Sequence, residues 1–299
     1  MRILITGGSG FVGQALCRRL HEDGHRILVT SRDPSRVQGL LPSGTKVRRW
    51  ASDFVDLPPK AIVNLAGEPI ASGRWTPARK QRLLESRLEV TRDVVALCEQ
   101  LHATRGQAPG VLVSASAMGY YGDQGERDVT EDTPPHDEFA HRLCRDWEAA
   151  AMEAAPFGTR VAILRLGLVL ERDGGMLDKM LPPFKLGLGG RMGNGRQYMP
   201  WVHRFDLIEM ILTLIERDDL EGPFNGSAPH PVTNAAFTRV LAKQLGKPAL
   251  LPVPAFALKL GLGEMSTLLL GGARMLPKRL QEAGFTFRYP TLEEALEDI

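Results

Sequence analysis

Four glycines lie in the stretch Ile3-Leu-Ile-Thr-Gly7-Gly8-Ser9-Gly10-Phe11-Val12-Gly13, where a short apolar strand gives way to an amphipathic helix. The spacing reads as Gly8-x-Gly10-x-x-Gly13 or as Gly7-x-x-Gly10-x-x-Gly13. A backbone without Cβ atoms can turn tightly and let a pyrophosphate come close. The helix that starts there offers unpaired N–H groups and the positive end of its dipole. A lone glycine triplet says little, but one set between strand and helix points to a dinucleotide.

The end of the second strand, Val29-Thr30-Ser31-Arg32, decides which dinucleotide. An acidic side chain there suits the ribose hydroxyls of NAD(H). Here a hydroxyl and a guanidinium stand instead, and Arg32 can pair with a 2′-phosphate through its fork of donors. Asp33, the nearest acid, is explained as the N-cap of a short helix that Pro34 begins. NADP(H) is therefore the preferred cofactor, with NAD(H) possible. The competing reading of Arg32 is a solvated turn residue.

His203 and Asp206, three apart, have no third ligand at metal spacing, so no metal is expected. They read instead as a helix cap closing the substrate side. Tyr198, Trp201 and the glycine-rich Gly187–Gly195 read as pocket walls or as plain loop packing. Asp132 with Thr133-Pro134-Pro135 reads as a turn, and Trp147-Glu148 as a core aromatic beside a surface acid.

These residues need a scaffold. Apolar runs predict strands at Arg2–Thr6, Arg26–Thr30, Lys46–Trp50, Ala61–Leu65, Val111–Ser114 and Val161–Leu164. Helices are expected after Gly13 to Asp23, over Thr76–His102 and over Phe139–Ala155. Strands alternating with helices predict an α/β fold, a Rossmann-type doubly wound parallel sheet. The third crossover, with Pro58 and Pro59, is expected to be a loop. After Arg165, Leu181–Gly195 reads as a loop near the site, followed by short helices at Phe205–Glu216, Asn234–Gly246 and Thr291–Glu297. The expected division is a Rossmann domain over 1–175, its core shared with parts of 200–230, and a smaller α+β substrate lobe over 176–299.

The bulk numbers agree with an ordinary enzyme-sized chain. It has 299 residues, 43% of them hydrophobic, and 37 basic against 35 acidic residues leave a net charge of +2 with no like-charge block. That pattern excludes a nucleic-acid stripe or an acidic membrane surface as the natural partner. The three separate cysteines suit a reducing compartment. A strand begins at residue 2 where a leader would need disposable residues. No apolar run approaches the roughly 18 residues of a membrane span; the stretch from Phe256 to Leu270 is broken by Lys259, Gly261, Gly263 and Glu264. We expect a cytoplasmic monomer or homodimer acting on a small-molecule substrate.

With Gly7–Gly13 joined to Asn64-Leu65-Ala66-Gly67, the chain resembles the extended short-chain dehydrogenase/reductases, which include nucleotide-sugar epimerases and dehydratases. Ser114-Ala115-Ser116, Tyr120-Tyr121-Gly122, Arg165, and Trp201-Val202-His203 with Asp206 extend the match. The wording is closer to an atypical epimerase-like branch with its own C-terminal domain, here about 249–297. Its marks are Asn64-Leu-Ala-Gly-Glu-Pro-Ile70, Pro182-Pro-Phe-Lys-Leu-Gly-Leu-Gly-Gly190, Pro277-Lys-Arg-Leu280 and Gly284-Phe-Thr-Phe287.

The resemblance implies that Gly7, Gly10, Phe11, Val12 and Gly13 hold the pyrophosphate and that Ser31 and Arg32 meet the 2′-phosphate. It implies that Asn64, Leu65 and Ala66 line the fourth strand's end and that Leu168 approaches the nicotinamide through its backbone. Arg87 falls where relatives carry an asparagine facing the sheet; it either reaches cofactor or substrate or is a surface helix arginine.

The resemblance also exposes a gap. Members that move hydride use a tyrosine and a lysine four residues later, but this chain has Phe139 and Leu143. Ser116 matches the family's hydroxyl, and Tyr120 or Tyr121 lies nearby in the crevice where doubly wound folds bind ligands. A phenol titrates near pH ~10, so without a neighbouring cation either tyrosine is a poor base at neutral pH. The competing reading is that both tyrosines pack structurally. His141 and Arg142 on the same helix have no geometric preference for the site. Two functions stay open: an NADP(H)-dependent epimerase or oxidoreductase on a small polar, sugar-derived substrate, or a non-catalytic NADP(H)-binding sensor or scaffold.

Overall fold

The computed structural model describes residues 1–172 and 174–297; Asp173, Asp298 and Ile299, which fall inside the two expected spans, lie outside the described residues. In chain order the strands are β1 (Arg2–Thr6), β2 (Arg26–Thr30), β3 (Lys46–Arg48), β4 (Ala61–Asn64), β5 (Val111–Ala117), β6 (Asp128–Val129) and β7 (Arg160–Leu166). They continue as β8 (Leu168–Leu170), β9 (Tyr198–Met199), β10 (Trp201–His203), β11 (Gly222–Gly226), β12 (Val232–Thr233) and β13 (Arg274–Met275). The helices are α1 (Phe11–Glu22), α2 (Pro34–Val37), α3 (Pro77–Arg105), α4 (Phe139–Met152), α5 (Leu177–Lys185) and α6 (Arg204–Glu216). After them come α7 (Asn234–Gln244), α8 (Ala255–Leu262), α9 (Thr267–Leu270), α10 (Lys278–Glu282) and α11 (Leu292–Glu297).

Seven strands form one parallel sheet in the order β11-β7-β5-β4-β1-β2-β3. The Rossmann-type doubly wound fold is the one expected, with a seventh strand added at the β7 edge. Parallel strands covered on both faces are apolar on both faces, and the side chains sort accordingly. Ile3, Ile5, Val29, Val63, Val113 and Leu164 pack under α1 and α6. Leu4, Leu28, Ile62, Leu112 and Ile163 face α3 and α4. A separate cluster of buried side chains gathers Leu170, Leu177, Leu181, Phe184, Trp201, Phe237 and Leu296.

Two local expectations need correction. Leu181–Gly195 is not loop from its start, because α5 runs to Lys185 through Pro182 and Pro183. Leu177, Leu181 and Phe184 form one buried stripe, and its packing outweighs the hydrogen bonds the two prolines cannot make. The third crossover is not all loop either: Ser52–Asp56 forms a short 3-10 segment with Phe54 buried. Side-chain caps stand at Asp33, as the sequence predicts, and at Thr76, where only the start of a helix is expected. Thr76 caps α3 by accepting from the Arg79 N–H, and Asp33 caps α2 by accepting from the Arg36 N–H.

Candidate functional site

The glycine turn is built for close approach. Gly7 has φ +70°, a backbone state that glycine adopts without strain, and the Gly10 N–H donates to its carbonyl at 2.9 Å. A Cβ on Gly13 would stand 2.2 Å from the Gly7 oxygen and 2.7 Å from the Gly8 Cα. Gly10 caps α1 without a side chain, so the N–H groups of Phe11, Val12 and Gly13 have no acceptor within the helix. This uncapped N-terminus fits a pyrophosphate. The Phe11 ring packs against Gly174 and Gly175 and under the Arg204 guanidinium, 4.7 Å away. Arg204 in turn pairs with Glu171 at 3.2 Å.

At the end of β2 the acid and the base differ in availability. Asp33 Oδ1 accepts from both the Arg36 N–H and the Ser35 hydroxyl, and the latter bond leads in holding its carboxyl below the usual range. Ser31 Oγ is engaged with the Asp33 backbone. Arg32 is exposed and makes no hydrogen bond or ion pair to any described residue.

Strand register lays a polar row across the C-terminal edge of the sheet on its α3/α4 face. Thr6, Asn64 and Ser114 are aligned across β1, β4 and β5. Thr6 Oγ1 donates to Asn64 Oδ1 at 2.6 Å, and Asn64 Nδ2 donates to Thr91 and Ser114. Asn64 is fully buried, so of the three residues at this strand end only Leu65 and Ala66 are even half-exposed. The Ala66 N–H is itself taken by Thr6 Oγ1.

Farther along the same edge, Ser116, Arg165 and Asn225 are aligned across β5, β7 and β11. Ser116 Oγ donates to Glu148 Oε1 at 2.6 Å, and Arg165 grips both oxygens of Glu148 at 2.9 Å. Arg165 and Glu148 are only 4% and 12% exposed, so Glu148 is no surface acid. Burial opposes the charge of Arg165, but the hydrogen bonds and charge of Glu148 outweigh it and hold its pKa above the ordinary arginine value.

The tyrosines separate here. Tyr121 is wholly buried, donates to Asn225 Oδ1 at 2.6 Å and accepts from Arg165 at 2.9 Å. Burial pushes its pKa up to about 12, so it is a structural hydroxyl with no face to a ligand. Tyr120 is half-buried, with the Arg165 guanidinium 3.4 Å from its ring centre. The expectation that no cation lies near these tyrosines is therefore corrected. His141 is buried, its ring nitrogen 2.7 Å from the Tyr120 carbonyl oxygen, and Arg142 pairs with Asp137.

Where a tyrosine–lysine pair would stand, the space is filled. Leu143 is buried with Trp75, Leu83, Ala140 and Met265, and Phe139 packs against this cluster with Ile70 and Leu262. Trp75 meets Phe139 edge-on at 4.9 Å.

Other expected positions resolve singly. Arg87 is no surface arginine: it donates to the carbonyls of Leu83 and Glu68 and lies 5.1 Å over the Trp147 ring. It thereby shapes the loop after Asn64. The Leu168 N–H donates to the Pro200 carbonyl at 2.8 Å. His203 caps α6 as expected, but Asp206 instead binds the N–H groups of Arg288 and Tyr289. Trp201 is buried, donating to the His230 carbonyl, and is not a pocket wall. Among the described residues no three His, Cys, Asp or Glu side chains gather as a metal site, and no helix is long and apolar enough to cross a membrane.

Sequence reasoning missed Glu148 and its partnership with Arg165. A signal was present: Glu148 follows Cys144 by four and precedes Ala151 by three, on the buried stripe of α4.

Residues 3–225 match the NAD dependent epimerase/dehydratase family, and 253–299 match a domain of unknown function. The epimerase family protein SDR39U1 homolog, chloroplastic, of Arabidopsis thaliana is 38% identical over 306 residues, spanning 100% of this chain and 86% of that one. An epimerase family protein of Mycobacterium leprae is 38% identical over 300 residues, spanning 98% of this chain and 94% of that one. The solved human epimerase family protein SDR39U1 (isoform 2) with NADPH superposes with a TM-score of 0.87 at 33% identity, covering 100% of this chain and 99% of that one.

Proposed function

The chain belongs to the NAD dependent epimerase/dehydratase family, and from that premise we propose that it binds NADP(H) in preference to NAD(H) and works as an oxidoreductase or epimerase on a small polar, sugar-derived substrate. The observation that carries the cofactor preference is the contrast at the end of β2. Arg32 is exposed and uncommitted, whereas Asp33 Oδ1 is engaged in capping bonds to Ser35 and Arg36. A 2′-phosphate finds in Arg32 a free cation with a fork of donors, the partner that favours it over a 2′-hydroxyl. The NADPH bound to the similar human protein supports this reading.

In the proposed site the first turn of α1 holds the pyrophosphate, Ser31 and Arg32 hold the 2′-phosphate, and Leu65, Ala66 and Leu168 border the nicotinamide. The cofactor, when bound, supplies hydride exchange with a carbon bearing oxygen. The chain's own residues must then manage a proton at that oxygen, and this reading assigns the task to Ser116, which is 2% exposed, and to the half-buried Tyr120. The three cysteines, buried and unpaired, support a reducing compartment such as the cytoplasm.

A second reading is a non-catalytic NADP(H) sensor or scaffold, which the packing of Phe139 and Leu143 into an apolar cluster favours. Parallel titrations with NADPH and NADH, followed by a panel of alcohols and carbonyls, decide between them. Tighter NADPH binding with turnover supports the enzyme. Equal affinities overturn the cofactor preference, and tight binding without turnover supports the sensor.

A further inference from the structure

Ser116 is 2% exposed, and its hydroxyl proton is committed inside the fold. Its Oγ–H is given to Glu148 Oε1 at 2.6 Å, the length of a charge-assisted bond. That carboxylate is held by both prongs of Arg165, so it cannot rotate away. A serine committed in this way cannot also donate to a ligand oxygen. The Cys144 side chain also lies within hydrogen-bond reach of it, so the acceptor capacity left beside that thiol is what a ligand proton can use.

Resting on the oxidoreductase or epimerase reading, we infer that Glu148 is a positioning residue which, with Arg165, stands in for the missing tyrosine–lysine pair by making Ser116 a proton acceptor and storing the proton it takes. When an alcohol is oxidised, its O–H bond breaks and that proton bonds to Ser116 Oγ. The proton already on Ser116 passes to Glu148 Oε1. The nicotinamide cofactor, when bound in its oxidised form, would supply the acceptor for the C–H electron pair as hydride, which balances the formation of the carbonyl. Glu148 is left neutral in the fork of Arg165. Reduction runs the same path backwards, so an epimerisation returns the proton to the substrate, and a net oxidation releases it to solvent.

The groups around Glu148 suit this task. Arg165 reaches it from β7 and Ser116 from β5, while Arg87 of α3 lies beyond the Trp147 ring. Cys144, on its own helix, is pushed up to about 11 by burial, and so stays protonated and does not compete for the role. Tyr121 has spent its proton on Asn225.

The test has two arms, both on the full chain. In cofactor-free protein, proton NMR should show one strongly deshielded hydroxyl that vanishes in both Ser116→Ala and Glu148→Gln. In the second arm NADPH reduces phenanthrenequinone, a reactive dicarbonyl. There Ser116→Ala and Glu148→Gln should each lower kcat by about 100-fold, and their combination should cost no more than either alone. KM and the NADPH affinity, read by cofactor fluorescence, should change less than about 3-fold, and Ser116→Thr should recover most of the rate.

If Glu148→Gln does not fold, Ser116→Ala still decides, because it leaves the Glu148–Arg165 pair whole. A deshielded proton that survives Glu148→Gln, or a kcat indifferent to Ser116→Ala, overturns the inference alone. Tight NADPH binding by a native protein that reduces nothing overturns the oxidoreductase reading and the inference with it.

Discussion

The Lys80 ammonium stands 4.9 Å from the centre of the Phe139 ring and is ion-paired to Glu264. A cation therefore does lie beside the position of the absent tyrosine, but it comes from α3 and is held by the segment that follows α8. The site has been refilled by aromatic and aliphatic packing, with the cation as its lid.

Rebuilding the usual pair should therefore fail. Leu143 is 2% exposed, and a lysine there would bury an ammonium without a counter-charge, at a cost of several kcal/mol. Leu143→Lys, alone or with Phe139→Tyr, is expected to lower Tm steeply and to confer no turnover. A soluble double variant with native Tm would contradict this packing argument.

Arg32→Ala should weaken NADPH binding by about 10- to 100-fold, equivalent to roughly 1.5–3 kcal/mol for a charged hydrogen-bond partner, and leave NADH binding nearly unchanged. Arg32 holds no other described residue, so Tm should not move. Titration of both cofactors with a thermal melt checks all three expectations.

Gly13→Ala should be poorly tolerated despite its small size. The added methyl would meet backbone atoms at 2.2 and 2.7 Å, and neither can swing aside. A loss of about 1–3 kcal/mol, with the turn displaced, should appear as a lower denaturation midpoint and lost NADPH binding. Gly24→Ala is a control for steric crowding, since nothing lies within 4 Å of its would-be Cβ; its positive φ makes it a strained position all the same.

Alkaline stability should report on Tyr121. Its pKa is raised to about 12 in the fold by burial, whereas an unfolded tyrosine titrates near ~10. Between these values the unfolded chain releases the proton first, so stability is fully present below about pH 10 and falls as pH rises toward about 12. The slope from this group is at most about 1.4 kcal/mol per pH unit. Cys17, raised to about 12, and Cys98 and Cys144, raised to about 11, add a loss that begins near their ordinary value of 9.0. Tyr121→Phe should be less stable at neutral pH, because Asn225 and Arg165 lose a partner, yet its stability should fall less steeply above pH ~10. Denaturant melts at several pH values test the slope.

The glycine turn, the parallel sheet and the caps at Asp33 and Thr76 could be read from residue order because each depends on neighbours in sequence. The inward turn of Glu148 was hinted at by its place on the buried stripe of α4, but its partnership with Arg165 could not be read, since that residue stands on β7, outside the helix. Tyr120 and Tyr121 are adjacent in sequence, and only the fold buries one and leaves the other half-open. The loop assigned from Leu181 was misread because Pro182 and Pro183 are strong local signals, while the stripe of Leu177, Leu181 and Phe184 acts through tertiary packing.

Asn225 answers to two parts of the chain at once. Its Oδ1 takes the Tyr121 proton, its Nδ2 donates to the Leu276 carbonyl, and Glu131 Oε1 binds both its N–H and that of Arg279. The Asn225 amide is thus one of the links that tie the tail to the sheet edge, beside the bonds of Ser227 to Met275 and of Arg279 to Pro223. Anyone grafting tails between relatives would be cutting into that chain of hydrogen bonds if the splice were made near residue 253, where the second family match begins. A seam upstream of Gly222 keeps the Asn225–Leu276 bond within one parent, but the bonds from Tyr121 and Glu131 to Asn225 still cross it and must be matched.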